Sequence, residues 1–452
     1  MYGVFMKLHF RTLALFVMTL GIAFGVCAQN TQPSATLYEN VRVFDGVSEK
    51  LTPPTNVLVV GNTIKAISAK SIEIPQGIVA TRIAGGGRTL MPGLTDAHTH
   101  LYIAGVTAEK VFVPNPDVDM LEKETLVQAK AMLLRGFTTV RDMAGPVFKA
   151  KAAIDSGKAD GPRIYPSGTM ICQTSGHCDF SPPEALPRSM GGPLTTPEQI
   201  RFSSIVDGRP QVLTAVRFNL RNGATQIKLA TSGGGESQMD PLYVAEFTSD
   251  EIKAAVEAAS DFGTYVSVHS YTPKSVRRSI DAGVPVIEHG QLLDEATVKY
   301  IADKGIWLSG QVLDEAGPSF PPDVRARKHQ IVEGQANVWR WGMKHNVKLA
   351  WGTDLLFEPE NMPMQNKELV ELKKYMTPAH ALKIATHDNA QLFALSGKRN
   401  PYPLPFGVVQ EGAYADLLLV DGDPTTNLDI IGDPEKNFRV IMKDGKIYKN
   451  TL

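Results

Sequence analysis

Between residues 91 and 400 the chain repeats one pattern: a short apolar run, a polar residue at its end, then a helical stretch. GFTTVRD, ATQIKLATSGG, TYVSVHSYT, VPVIEHG, GIWLSGQ and VKLAWGTD read as strands, and DEIKAAVEAASDFG reads as a helix closed by glycine. Strands alternating with helices build a parallel sheet covered by helices. Eight such units fill about 300 residues, the usual size of a (β/α)8 TIM barrel. Periodicity alone also admits an open, doubly wound sheet. The polar residues that end the runs decide between the two.

The ends of the chain have a different character. ATLYENVRVFD and NVLVVGNTIKAIS near the start, and ADLLLVDGDP and FRVIMKDGKIYKN near the finish, are β-type runs separated by turn residues. The expectation is an α/β fold: a TIM barrel over 91–402 with a small β-sandwich domain formed from both termini, 35–90 and 403–452. Two loops rich in proline and glycine, about 178–198 and 313–325, each follow a strand run and read as lids or binding loops.

Lys7 and Arg11 precede an apolar run from Leu13 to Val26, and Val26-Cys27-Ala28 offers small residues where a signal peptidase cuts. Residues 1–28 read as a signal peptide, which makes the mature protein secreted or periplasmic. The alternative is an uncleaved anchor, although about 14 apolar residues are few for a membrane span. Cys172 and Cys178 remain after cleavage, in CQTSGHC, where a disulfide stapling the loop competes with two buried thiols. A net charge of −1 over 452 residues gives no basis for nucleic acid or an anionic membrane as partner. Homo-oligomerisation is left open.

The segment MPGLTDAHTH places His98 and His100 two apart at a strand end, where the pleat turns both to one face. Two imidazoles on one face can hold a metal ion. Lys228, His269, His289 and Asp354 follow in order, each at the end of its own apolar run. In a TIM barrel those ends share one mouth, so six polar side chains from separate strands meet there.

With these residues in view, the chain resembles the amidohydrolase superfamily. PGLTDAHTH is similar to its opening metal motif, and His269, His289 and Asp354 match its ligands after strands five, six and eight. Lys228 matches the strand-four lysine of the binuclear members, where CO2 adds to the amine and the carbamate bridges the metals. IKLATSGG, VHSYT, IEHG and TSGHCDF look most like the secreted prolidase-like dipeptidases and their imidazolonepropionase-related neighbours.

The resemblance implies two divalent metal ions, Zn2+ suiting the histidines best. His98, His100 and Asp354 would hold one and His269 and His289 the other, with carboxylated Lys228 between them. Asp354 would move the proton from the attacking water to the leaving amine. It also implies that His177, in TSGHCDF, reaches the substrate. Tyr271 shares the face of His269 and is a candidate oxyanion donor, whereas Ser270 points away. Gly233 to Gly235 do not read as a phosphate cradle, because no Lys-Ser or Lys-Thr follows; flexibility beside the metals suits them as well. His329, His345, His380 and His387 read as surface or helix-packing residues.

The expected activity is therefore hydrolysis of an amide or peptide bond in a small-molecule substrate, a dipeptide first. Non-peptide amides, carbamates, ureas and lactams are the alternatives within enzymes. A secreted binding protein without catalysis is the alternative outside them.

Overall fold

The computed structural model describes residues 34–452 apart from 238 and 319. The signal-peptide reading of residues 1–28 lies outside the described residues. Among the described residues, no helix is long and apolar enough to cross a membrane.

Each apolar run of the middle segment forms a short strand, and every strand pairing in its two sheets is parallel. Leu94–Thr99, Phe137–Asp142 and Arg163–Pro166 form a three-stranded sheet. Ser203–Ile205, Met170–Cys172, Ile227–Ala230, Val266–Ser270, Val286–His289, Trp307–Gly310 and Lys348–Trp351 form, in that order, a seven-stranded one. Residues on both faces of nearly all these strands are buried, as parallel strands covered by helices require.

The sequence leads one to expect a single continuous ladder; the structure has two sheets. The interruption lies between Arg163–Pro166, which pairs with Phe137–Asp142, and Met170–Cys172, which pairs with Ile227–Ala230. Gly168 sits there at φ 77°, and a Cβ on it would lie 2.6 Å from Asn219 Oδ1, so only glycine fits the bend. On the far side, Lys348–Trp351 and Leu94–Thr99 are joined by other bonds. The Asp354 N–H donates to His98 O at 2.8 Å. The buried Asn389 amide donates to Thr95 O at 3.1 Å and to Trp351 O at 2.8 Å.

The helices between the strands begin and end on local signals. Ser249–Asp261 starts on a Thr248–Glu251 capping box and is followed by Gly263 at φ 73°. Pro273–Asp281 starts on Thr272, and Glu295–Asp303 on Asp294.

The two ends of the chain meet in an eight-stranded sheet. Thr89–Pro92 pairs antiparallel with Leu417–Val420 and parallel with Ala35–Val43. Alternation divides the side chains of the C-terminal strands. Leu417, Leu419, Val440 and Met442 pack with Tyr38, Val41, Val57 and Val59, while Leu418, Val420 and Ile441 pack into the main core.

Cys172 and Cys178 are joined by a disulfide, and both are fully buried. The bond closes a loop with a sequence separation of 6, and the loop-entropy relation puts such a closure at about 2 kcal/mol. The double variant Cys172→Ser/Cys178→Ser should lower the urea midpoint by an equivalent amount. Wild-type protein treated with reductant should move toward the same midpoint.

Candidate active site

Strand ends place the side chains. His98 is the fifth residue of Leu94–Thr99, and His100 follows the strand. The rings lie 5.3 Å apart with 1% and 4% exposure. Asp354 follows Lys348–Trp351 at φ 61°, and His289 ends Val286–His289 at φ 77°. Left-handed backbone in non-glycine residues is sparsely populated and concentrates where function dictates a side-chain direction. Asp354 Oδ1 lies 3.0 Å from His100 Nε2 and 3.4 Å from His98 Nε2, and Oδ2 lies 3.8 Å from His289 Nδ1. His98, His100 and Asp354 thus bring one ligand atom each to within 4.8 Å of one another.

Lys228, in Ile227–Ala230, directs Nζ to 3.2 Å from His98 Nε2. His269, in Val266–Ser270, has its ring 4.3 Å from that of His289. Tyr271 meets the His269 ring edge-on at 4.9 Å, and Ser270 turns away to bond Ser275. His177, one residue before the disulfide, stacks on His269 at 3.8 Å. All eight residues named from the sequence line one cavity of about 500 Å³. Its walls include Phe180, Phe202, Leu355 and Phe357, and residues 313–317 of the second long loop.

The donor set fits divalent cations. Burial, then the charge of Lys228, brings His98 down to about 4, and burial holds His269 and His289 well below the usual range. These imidazoles are neutral near pH 7, with lone pairs to give. Three of the rings are tethered by one nitrogen. His98 Nδ1 bonds Glu288 at 2.9 Å, His289 Nδ1 bonds Gln311 at 2.8 Å, and His269 Nε2 faces Gly233 O at 3.4 Å. The second nitrogen of His98 faces Lys228 Nζ and Asp354 Oδ1, and among the described residues those of His269 and His289 make no hydrogen bond, the arrangement in which one tethered nitrogen orients a ligating histidine. Among the described residues, the buried His100 Nδ1 has no hydrogen-bond partner.

Burial lowers Lys228 to about 8, so its neutral amine is accessible near neutrality. Burial alone would raise Asp354, but its electrostatic coupling to the His98 ring and the hydrogen bond from His100 hold it well below the carboxylate range. Burial keeps the Tyr271 phenol protonated.

Several residues that hold this site escaped the sequence reading. Glu288 bonds His98 through Oε2 and Arg141 Nη2 through Oε1 at 2.6 Å, and the three side chains are buried. Asp96 accepts the N–H groups of His98 at 3.0 Å and Thr353 at 3.1 Å, tying together the segments that carry His98 and Asp354. The available signal was a charge inside a run expected to be buried on both faces: Arg141 in FTTVRD and Glu288 in VIEH. Such residues are almost never fully buried unless paired.

The four remaining helical histidines face other groups. His329, His345, His380 and His387 pair with Glu315, Glu295, Glu49 and Asp388. Gly233 and Gly234 are explained by contact rather than flexibility. A Cβ at Gly233 would overlap the carbonyls of Asp240 and Pro241, and one at Gly234 would overlap the His177 ring.

Comparison with known proteins agrees with this geometry. The model of a family described as the amidohydrolase family matches residues 89–449. Ochratoxinase from Aspergillus niger is 28% identical over 409 residues, covering 87% of this chain and 82% of that protein. A solved prolidase complexed with N-methylphosphonate-L-proline superposes with a TM-score of 0.82 at 30% identity, over 92% of this chain and 100% of the other. A Xaa-Pro dipeptidase with methionine bound in its active site gives 0.77 at 27% identity, over the same shares.

Proposed function

The chain belongs to the amidohydrolase family, a hydrolase of C–N bonds in small molecules, and from that premise we propose that it is a dipeptidase using two metal ions. The observation that carries the proposal is the approach of Lys228 Nζ to 3.2 Å from His98 Nε2 within one ring of imidazoles and Asp354. His98, His100 and Asp354 would hold one ion and His269 and His289 the other. Lys228, carboxylated by CO2, would supply an anionic oxygen to both. Zn2+ suits this donor set best. When bound, such ions supply Lewis-acid polarisation and make water acidic enough to attack near neutral pH.

The remaining steps fall to the chain's own residues. Asp354, ionised across the neutral range, accepts the proton of the attacking water and delivers it to the leaving amine. The neutral Tyr271 hydroxyl donates toward the oxygen that gains charge as the carbonyl is attacked. His177 contacts the substrate beside His269. A cavity of about 500 Å³ suits a dipeptide-sized molecule. The prolidase and dipeptidase likenesses favour a peptide with proline after the scissile bond. The ochratoxinase relative supports a second reading, a non-peptide toxin amide, and Phe180, Phe202 and Phe357 give the cavity aromatic walls for an aryl amide.

On the same terms, we read the two parallel sheets over 91–402 as arcs of one closed barrel, joined across the gap by the bonds of Asn389 and Asp354. Residues 35–90 and 403–452 are read as a sandwich. Residues 1–28 are read as an export signal, and the Cys172–Cys178 disulfide suits an oxidising compartment.

The test is a library of dipeptides and N-acyl amino acids, screened with and without chelator. Xaa-Pro dipeptides should be turned over, with activity lost on chelation and restored by Zn2+. Turnover of aryl amides alone selects the second reading. Metal-loaded protein that cleaves neither class removes both.

A further inference from the structure

Two carboxyl groups behind His177 have no part in the chemistry above. Asp240 and Glu246 are both fully buried. Asp240 Oδ2 accepts the Gly234 N–H at 2.8 Å and stands 3.6 Å from His177 Nδ1. Glu246 Oε1 accepts the backbone N–H of His177 at 3.0 Å. Among the described residues, the other oxygen of each, Asp240 Oδ1 and Glu246 Oε2, is buried without any other partner, and the two side chains lie within hydrogen-bond reach of each other. Among the described residues, no lysine or arginine forms an ion pair with either group.

Two buried carboxylates within hydrogen-bond reach of each other, with no cation paired to either among the described residues, do not both stay ionised. One proton between the two orphaned oxygens satisfies both atoms. Burial, then the charge of Asp240, pushes Glu246 well above the carboxylate range, which makes Glu246 the holder of that proton. Asp240 keeps the negative charge. A lone pair on His177 Nδ1 would be repelled by that anion, so Nδ1 carries the ring hydrogen, with Ser237 Oγ at 3.2 Å as a second acceptor.

We infer that Glu246 and Asp240 share one proton, and that the resulting Asp240 anion fixes His177 with Nδ1 protonated and Nε2 free for the substrate. The pair is a positioning device: neither carboxyl lines the cavity. It also accounts for two glycines. A Cβ at Gly176 would stand 2.6 Å from Glu246 Oε2, and one at Gly234 would overlap the His177 ring. The substrate side of this inference rests on the proposed role of His177; the shared proton does not.

The experiment therefore has separate arms. In difference infrared spectra at neutral pH, Glu246→Gln should remove a carbonyl stretch of a protonated carboxylic acid. Loss of an ionised carboxylate band instead overturns the shared proton. In 15N-histidine spectra, with the His177 signal assigned through His177→Gln, Nδ1 should be protonated in wild type and in Glu246→Gln. Asp240→Asn should give mixed tautomers, and an unchanged tautomer there overturns the role of the anion. With a dipeptide substrate, Asp240→Asn should raise KM about tenfold and change kcat less than about threefold, the signature of weakened binding. A fall in kcat at constant KM overturns the substrate side. Should no amide be turned over, the spectra still decide the acid pair, so the failure of either idea is recognised by itself.

Discussion

Asp354→Asn is expected to lower kcat by about 10³–10⁴-fold while leaving the fold and most of the bound metal in place. Among the described residues, Asp354 is the one carboxylate within 4 Å of the proposed metal-binding histidines, and His98 and His289 beside it are neutral lone-pair donors. Asparagine keeps one oxygen facing His100 and His98 but has no basic lone pair of comparable strength. It also tolerates the backbone: Asp354 sits at φ 61°, a conformation that Asn adopts about as readily as Asp. The N–H bond to His98 O at 2.8 Å, which links two segments across the gap between the sheets, should therefore survive. Single-turnover kinetics, metal content and a thermal melt on one preparation check the three parts. Near wild-type turnover in metal-loaded Asp354→Asn would remove this residue from the proton path.

The contrast between what the sequence shows and what it hides follows from the reach of local pattern. His98, His100, His269, His289 and Asp354 were legible because each stands at or beside the end of an apolar run, and parallel strands bring their ends to one edge; Lys228, the second residue of Ile227–Ala230, lies deeper in its strand than that pattern implied. No long-range pairing had to be known. Glu288 and Arg141 were not legible as a pair, since they are 147 positions apart and each looks like an isolated anomaly inside a strand. The bend at Gly168 depends on the position of Asn219, which no reading of GTMIC contains. Asn389 closes the gap between Lys348–Trp351 and Leu94–Thr99 through its side chain, and strand periodicity says nothing of such a bond. Gly233 and Gly234 looked like part of a flexible segment because glycine signals freedom and close approach in the same letter; the tight contact with Asp240 and His177 decides between them.

Glu288→Ala should produce the largest loss of stability of any single change at the site, about 3–5 kcal/mol. The Glu288 carboxylate is held well below its usual range: burial opposes ionisation, and Arg141 followed by His98 overcomes it. Alanine leaves the Arg141 guanidinium buried at 0% exposure with, among the described residues, only Ala97 O at 2.6 Å and the Tyr265 hydroxyl at 3.2 Å as hydrogen-bond partners. It also frees His98 Nδ1, so the ring loses the acceptor that fixes its tautomer, and metal affinity should fall by about 10–100-fold. Glu288→Gln separates the two effects. Its amide oxygen can still accept from Arg141, but its NH2 then faces His98 Nδ1 and drives the ring hydrogen to Nε2, the nitrogen that points at Lys228 and Asp354. Glu288→Gln should therefore unfold at a urea midpoint between those of wild type and Glu288→Ala, yet bind metal as poorly as Glu288→Ala. Wild-type metal content in Glu288→Gln would mean that His98 does not use Nε2 as a ligand, and the site would need a different set of donors.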